Sequence, residues 1–410
     1  MGDRIWIAGV AMTPFGVHAE HSNHDLARWA IREALEDAAA QPADVGTAFY
    51  ATATHGPIEG QFTISGQIAL RGLGIQDIPV YNVENACATG STALNLAAMS
   101  IRAGETDVAL AVGAEKMNVG DRQRILQMFD SGYDLSDPDA LERTLEELGG
   151  TVATETVGHR SVFMDIYGAW ARNHMRLYGT TQQQLAAVAS KNHGHSVDNP
   201  RAHFRKPMTI EEILAGRPLA FPLTVPMCAP TTDGGAAVIL CNDQGLERLE
   251  SERPVELLAS VIGSGTDRDI TTFTGHIAAN TAAKAYERAG IGPEDIDVAE
   301  VHDATAFGEI LQSELLGLVP EGEGGAAAER GDTTIGGRIP INPSGGLESK
   351  GHPIGATGIG QVFELVDQLR GTAGPRQVHG ARFAIAENGG GFHRGEEASA
   401  SIVILGATSA

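Results

Sequence analysis

Short runs of aliphatic and β-branched residues alternate along the chain with longer stretches in which apolar positions recur every three to four residues. The short runs read as buried strands and the longer stretches as amphipathic helices, which together make an α/β protein. The pattern predicts strands at Ile5–Val10, Ala48–Ala53, Pro79–Val83, Val108–Val112 and Ala236–Leu240, with helices at Asp25–Ala39 and Ala88–Arg102. From about Asn118 to Pro222 the rhythm changes. That stretch is more polar, carries the acidic run Asp134–Glu147 and holds helical segments such as Phe163–Tyr178, so it reads as an insertion lying over the core. Alternation then resumes. Strands are predicted at Val255–Ile262, Val298–His302, Arg382–Ala386 and Ser399–Leu405, and helices at Ala278–Ala289, Ala306–Leu316 and Ala356–Arg370.

The two halves echo each other. Ala34, Glu36, Ala38, Pro42 and Asp44 recur in the same spacing as Ala285, Glu287, Ala289, Pro293 and Asp295, each set closing a helix and entering a strand. Ala88-Thr89-Gly90 recurs as Ala356-Thr357-Gly358, each opening a helix that ends at an arginine, Arg102 and Arg370. Two echoes in one order indicate a duplicated α/β unit. The expected division is residues 1–250, with the insertion at about 118–222, and residues 251–410. Duplication places Cys87 and His352 at comparable points, before helices whose N-termini face a shared cleft.

Composition narrows the class. At 410 residues the chain exceeds the usual limit of one hydrophobic core. Its 51 glycines fall in short clusters without a repeat, which excludes collagen and implies tight turns. With 29 basic against 52 acidic residues, the formal charge is −23, so neither nucleic acid nor an anionic membrane is an expected partner. One basic island, Lys191–Lys206, holds Lys191, Arg201, Arg205 and Lys206 against Asp198, and suits either an anionic ligand or a solvated loop. Cys87, Cys228 and Cys241 form no disulfide framework, and neither a secretory leader nor a membrane-length apolar run is visible. The expectation is a cytoplasmic protein.

The candidate chemistry sits where strands meet helices. Cys87, in VENACATGSTAL, follows a strand and opens a helix, whose N-terminal N–H groups should lower the thiol pKa. His352, in SGGLESKGHPIGATG, is held in a Gly/Pro turn from which an imidazole can take a proton. GATGIG is not a dinucleotide fingerprint, because no strand leads into it and the glycine spacing differs. His302 and Asp303 end a strand, and Asn388 sits before glycines whose N–H groups can cradle an oxyanion. His193, His195 and His203 lack acidic or cysteine partners at a metal spacing, so they read as surface histidines and no metal is expected.

Together these segments resemble the thiolase superfamily, and more narrowly its sterol-carrier-protein-type members and their bacterial and archaeal relatives. The match runs through NACATGSTAL, GAEKM, NHMRLYGTT, KNHGHSVDNP, PMCAPTTDGGAAVIL, VHDATAFGEI and NPSGGLESKGHPIGATG, covering nearly the whole chain. The resemblance implies a thiolase-like fold of two five-layered halves with an inserted loop domain that binds coenzyme A, and a homodimer. It implies an acyltransferase of lipid metabolism that takes a coenzyme A thioester as substrate and has no permanently bound cofactor. Cys87 would carry the acyl group and His352 would accept its proton. His302 would help to form one oxyanion hole, and backbone N–H groups at Cys87 and near Gly390 another. Lys191, Arg205 and Lys206 would face the nucleotide. Some relatives also work with a small partner that combines a zinc ribbon and an OB-fold.

Two departures matter. The family's second cysteine stands either in a C-x-G context, where this chain has Asn388, or in an H-D-C-F motif, which here reads His302-Asp303-Ala304-Thr305. That thiol moves the proton at the substrate α-carbon. His302 is the leading substitute, with His55, His393 or the substrate itself behind it. The readings to be separated are therefore a thiolase that cleaves or forms 3-oxoacyl-CoA, an acyltransferase or retro-aldolase with a non-standard acceptor, and a non-catalytic acyl-CoA-binding subunit.

Overall fold

The computed structural model describes residues 4–137, 139–149 and 161–408. Its framework is one nine-stranded mixed sheet of β1 (Trp6–Met12), β2 (Thr47–Ala51), β3 (Val80–Val83), β4 (Val108–Glu115), β5 (Gly234–Cys241), β6 (Val255–Ser264), β7 (Val298–Glu300), β8 (Phe383–Gly390) and β9 (Ser399–Ala407), in the order β3-β2-β4-β5-β1-β6-β9-β8-β7. The order reads the same outward from its centre. On one side β1 pairs antiparallel with β5, β5 antiparallel with β4, and β4 parallel with β2. On the other, β6–β9, β9–β8 and β8–β7 repeat those senses. β1 and β6 each carry a register shift at the same place, Ile7/Gly9 and Leu257/Ala259. The halves join through two pairs, Trp6↔Glu256 and Ile7↔Val255.

Local sequence explains the flanking helices. Asn23–Asp37 starts at Ser22, whose side chain accepts from Asp25 N–H while Asp25 reaches back, a capping box that satisfies two orphan donors. Its buried residues, Leu26, Ala27, Ala30, Ile31, Ala34 and Leu35, recur at helical spacing against β1 and β5. Full burial of a leucine or isoleucine side chain stabilises by roughly 1.5–3 kcal/mol. The counterpart Ile277–Ala289 is capped by the His276 side chain and ends at Gly290, where φ is +70°. Between the two half-sheets lie the paired helices Thr89–Arg102 and Ile354–Arg370, which form a core with Ile7, Val238, Leu257 and Val403 from both halves. The outer faces pack separately, on Asn23–Asp37 and on Ile277–Ala289. This corrects the expectation of five layers in each half. There are five layers in all, because the middle helices are shared.

The insertion contributes helices Arg122–Asp130, Ala140–Glu147, Val162–Tyr178, Gln182–His195 and Ile210–Leu214. Leu145, Ile166, Trp170, Leu185 and Val188 pack there against Phe307, Ile310 and Leu311 of the second-half helix Ala306–Leu315. Residues 138 and 150–160 of the expected insertion lie outside the described residues. No described helix is long and apolar enough to cross a membrane.

Candidate active site

Cys87 sits on a single 3-10 turn, Ala86–Ala88, between the end of β3 and the helix Thr89–Arg102. Several bonds fix that turn. Asn85 N–H donates to Thr89 Oγ1 at 2.7 Å, and Thr89 donates to Ala86 O at 2.5 Å. Asn85 Nδ2 donates to Ser399 Oγ of β9 at 2.9 Å, which ties the turn to the second half. Ala86 holds φ at +47°, an unfavourable value for a residue with a Cβ, so the surrounding bonds hold a strained turn directly before the thiol. From β8, Gly390 packs so closely that an added Cβ would lie 2.7 Å from Ala88 N and 3.0 Å from Cys87 N.

His352 comes from the second half, two residues before the helix Ile354–Arg370. Its N–H donates to Thr232 Oγ1 at 2.8 Å, and its Nδ1 lies 2.6 Å from Thr357 Oγ1. The Thr357 hydroxyl spends its one proton on Pro353 O at 3.0 Å. It must therefore accept from His352 Nδ1–H, which leaves Nε2 as the ring's free lone pair, the tautomer a base requires. His302 follows β7. Its backbone N–H donates to Glu387 Oε2 at 3.0 Å, its ring meets His352 edge to face at 5.1 Å, and neither ring nitrogen has a partner. The thiol of Cys87 and one nitrogen from each of His302 and His352 all lie within 4.8 Å of one another. A Cys-His-His set at that spacing has the donor types of a zinc site as well as those of a proton relay.

Buried charges support both histidines from behind. Lys350 pairs with Glu300 at 3.1 Å, Leu347 N–H donates to Asp303 at 2.7 Å, and Asn192 Nδ2 bridges Asp303 and Glu309 at 3.2 and 3.0 Å. Glu300 and Asp303 flank the strand end that carries His302, and Glu348 and Lys350 lead into His352. Burial and the neighbouring Glu309 hold the Asp303 carboxyl well above its usual range.

Electrostatics reverse one sequence expectation. Burial pushes the Cys87 thiol up to about 12, against the Gly391 N–H beside it, which favours the thiolate. The helix N-terminus does not win, because desolvating a sulfur anion outweighs the few dipoles aimed at it. Burial, then His302 and Lys350, lowers His352 well below the ordinary imidazole value, and burial lowers His302 to about 4. At neutral pH the resting groups are a thiol and two neutral imidazoles.

The three residues open onto a cavity of about 1020 Å³ that also meets Gly390 and Gly391. Most of its wall is apolar and comes from the insertion, including Met117, Phe129, Phe163, Trp170 and Met208. Lys206 and Arg217 are its lysine and arginine lining residues.

The other expected site residues divide. Arg205 is exposed, and its guanidinium reaches Val197 O at 3.3 Å, away from the cavity lining. Lys191 is corrected. It lies on the buried face of Gln182–His195, ion-paired with Glu309 at 2.7 Å and bonded to Ile341 O at 2.6 Å, so it has no ammonium to offer a nucleotide. Asn388 is also corrected. It is buried below the cavity lining with Oδ1 3.4 Å from the Ser91 hydroxyl, because alternation along β8 turns it toward the helix Thr89–Arg102. The His55 ring is bound to Ser65 Oγ at 3.0 Å, and His393 lines a separate hollow near Asp134, so neither meets Cys87. His193 and His195 are not surface residues. His193 contacts Pro226 O and Ser349 Oγ, and His195 bridges Asn342 O and Ile335 N–H. Cys228, Tyr167, Arg217 and Glu397 also line the cavity and were not anticipated; Cys228 stands in the PMCAPTTDGG segment but was assigned no role, and the other three stand in no recognisable motif.

Comparison with known proteins decides the family. Residues 5–217 match the thiolase N-terminal domain and residues 264–407 the thiolase C-terminal domain-like family. The chain belongs to the thiolase family. Thiolase relatives include sterol carrier protein 2 of Oryctolagus cuniculus, 38% identical over 94% of this chain and 69% of that protein. Acetyl-CoA acetyltransferase of Methanothermobacter thermautotrophicus is 39% identical over 94% and 96%, and benzoylsuccinyl-CoA thiolase subunit BbsB of Thauera aromatica 34% over 92% and 91%. Among solved structures, the Ltp2-ChsH2(DUF35) aldolase superposes with a TM-score of 0.79 over 98% of each chain, at 24% identity, and so shares this thiolase fold.

Proposed function

We propose that this thiolase is an acyltransferase that loads an acyl group from a coenzyme A thioester onto Cys87 and exchanges it with a carbon nucleophile, cleaving or forming a 3-oxoacyl-CoA. The observation that carries the reading is the meeting of a thiol and two imidazoles within 4.8 Å at a large apolar cavity. As Cys87 Sγ attacks the thioester carbonyl, His352 Nε2 takes the thiol proton, so no free thiolate has to persist in a buried site. His302, with both ring nitrogens unpartnered, donates to the thioester oxygen as it gains charge, together with N–H groups of the Cys87 turn and the Gly390 segment. Lys206 and Arg217 suit the anionic end of coenzyme A. β3 ends the sheet with Tyr81 and Asn82 exposed, an edge suited to a second copy. A small zinc-ribbon/OB-fold partner remains part of the proposal through the family resemblance alone.

A second reading, retro-aldol cleavage or a non-standard acceptor, is favoured by one feature. Ala304 lines the cavity where sterol-carrier-type relatives hold a thiol. Intact-mass measurement after mixing with acetyl-, propionyl- and octanoyl-CoA tests the acyl-cysteine. One acyl mass should appear on Cys87 and vanish in Cys87→Ala, and His352→Ala should slow loading by ~10²–10⁴-fold. Labelling at Cys228 or Cys241 instead would refute the assignment.

A further inference from the structure

Acyl loading accounts for only half of a carbon–carbon exchange. The other half needs a group that moves a proton at the carbon beside the thioester, and positions 304 and 388 hold no sulfur. Among the described residues the cavity lining includes two carboxylates, Glu212 and Glu397. Glu212 is exposed and uses its carboxylate to accept from Thr209 N–H at 2.8 Å. Glu397 is only 3% exposed, stands in the loop between β8 and β9, and shares the cavity wall with Cys87, His302, His352 and Gly390.

The carboxylate of Glu397 is hydrogen-bonded at one oxygen and faces a single ring nitrogen at the other. Oε1 accepts from Gln312 Nε2 at 2.9 Å, whereas Oε2 has no hydrogen bond, although His276 Nε2 stands 3.2 Å away. His276 Nδ1 accepts from Ala278 N–H, so that ring faces Glu397 as a neutral N–H and does not neutralise it as a cation would. The end of β8 lies between Glu397 and the Cys87 turn, with successive glycines facing one and then the other. An added Cβ on Gly389 would lie 2.8 Å from Glu397 Cγ, and one on Gly390 would lie 3.0 Å from Cys87 N.

We propose that Glu397 is the catalytic base and acid at the substrate α-carbon, the role that a second cysteine fills elsewhere in the family. The proposal rests on the acyl-cysteine reading for its carbon acceptor. In the synthetic direction a Glu397 oxygen takes the α-proton of the second thioester, and the C–H electron pair becomes an enolate. The enolate carbon attacks the Cys87 thioester carbonyl, the C–S bond breaks, and the leaving sulfur recovers its proton from His352. Cleavage runs the same steps backward, with the Glu397 carboxylic acid protonating the departing enolate carbon. His302, beside Cys87 and His352, is already engaged at the thioester oxygen in the loading step proposed above. Cys228, the other thiol lining the cavity, points its sulfur at Thr224 O, 3.5 Å away. Burial also brings Glu397 up to about 7, close to the value at which a carboxylate can both take and return a proton at neutral pH.

The test is exchange of α-protons for deuterium in D₂O, with acetyl-, propionyl- and octanoyl-CoA as probes and mass spectrometry as readout, alongside acyl loading on Cys87. Wild type should incorporate deuterium. Glu397→Gln, which keeps the Gln312 bond, should lose that exchange by ~10²–10⁴-fold while still loading Cys87, and Glu397→Asp should fall between. Exchange at the wild-type rate in Glu397→Gln overturns the proposal, as does equal loss of loading, which would mark a structural role. So does the absence of exchange in wild type with all three probes, or exchange that survives Glu397→Gln and is lost in His302→Ala or Cys228→Ser. Deuterium uptake that needs Glu397 while no acyl mass forms on Cys87 would sustain this assignment and sink the acyl-cysteine reading.

Discussion

At the scale of single residues, the base is made by a threonine. His352 Nε2 is free because Thr357 accepts from Nδ1–H and passes its own proton to Pro353 O. Thr357→Val keeps the shape and removes the acceptor, so the ring loses the bond that fixes its tautomer. Losing a hydrogen bond of this kind costs about 1–3 kcal/mol, so Cys87 loading should slow roughly 10–100-fold and its pH profile should shift. Thr357→Ser should restore both, and the melting temperature should stay close to that of wild type. A slower Thr357→Ser equal to Thr357→Val would assign the effect to packing instead. Cys87, His302 and His352 were legible in the sequence because each stands in a motif at a strand or helix end. Lys191 was misread because a lysine in a polar stretch gives no sign that its helix turns it inward. Glu397 was invisible for the opposite reason, as an ordinary acidic residue in a loop that only folding carries to the cavity wall.

At the scale of elements, the alternation of patterns located all nine strands, and the errors lie at their ends. β8 runs on through Gly389 and Gly390 and β5 begins at Gly234, where glycine's weak strand preference ended the pattern early. The basic stretch read as loop or ligand site begins inside the helix Gln182–His195, whose polar residues hide their partners in the second half. The contact between the middle helix and β4 is closer than any pattern reveals. A Cβ on Gly113 would overlap the Gly355 carbonyl oxygen, two residues into the helix that His352 precedes. Gly113→Ala should therefore destabilise by ~1–3 kcal/mol or more and displace His352. Denaturant unfolding and Cys87 loading should both decline. A variant with wild-type stability would show that the seam can open.

At the scale of the whole molecule, buried histidines and buried carboxylates oppose each other in the response to acid. Burial lowers His55 and His302 to about 4, and His195 and His276 to about 3. Their unfolded values lie near 6.5, so as pH falls below 6.5 the unfolded chain binds protons that the folded chain refuses, and stability is lost down to the folded values. Glu115 and Glu397, both raised by burial to about 7, act in the opposite sense, adding stability as pH falls from 7 toward 4.5. Burial lowers His352 in the first sense as well and raises Asp303, Glu348 and Glu387 in the second, so the two sets pull against each other as pH falls from 6.5 to 5. Urea unfolding at pH 5, 5.75 and 6.5 should show stability changing less steeply than the ~5 kcal/mol per pH unit that four histidine protons alone would give. A flat or falling series would mean that the carboxylates prevail.

The join between the halves has a consequence in time. Cys87 and His352 are far apart in sequence and come from opposite halves, whose sheets meet through one strand pair and whose middle helices pack together. Each half can collect its own strands and outer helix by contacts within itself, but neither contains a thiol–imidazole pair. The pair exists only once the middle helices have docked, a step dominated by contacts distant in sequence and therefore slow to nucleate. During synthesis on the ribosome the first half emerges with its nucleophile but without the imidazole that activates it. Activation arrives with the second half, so a half-made chain lacks the base that would speed its acylation by the thioesters it meets.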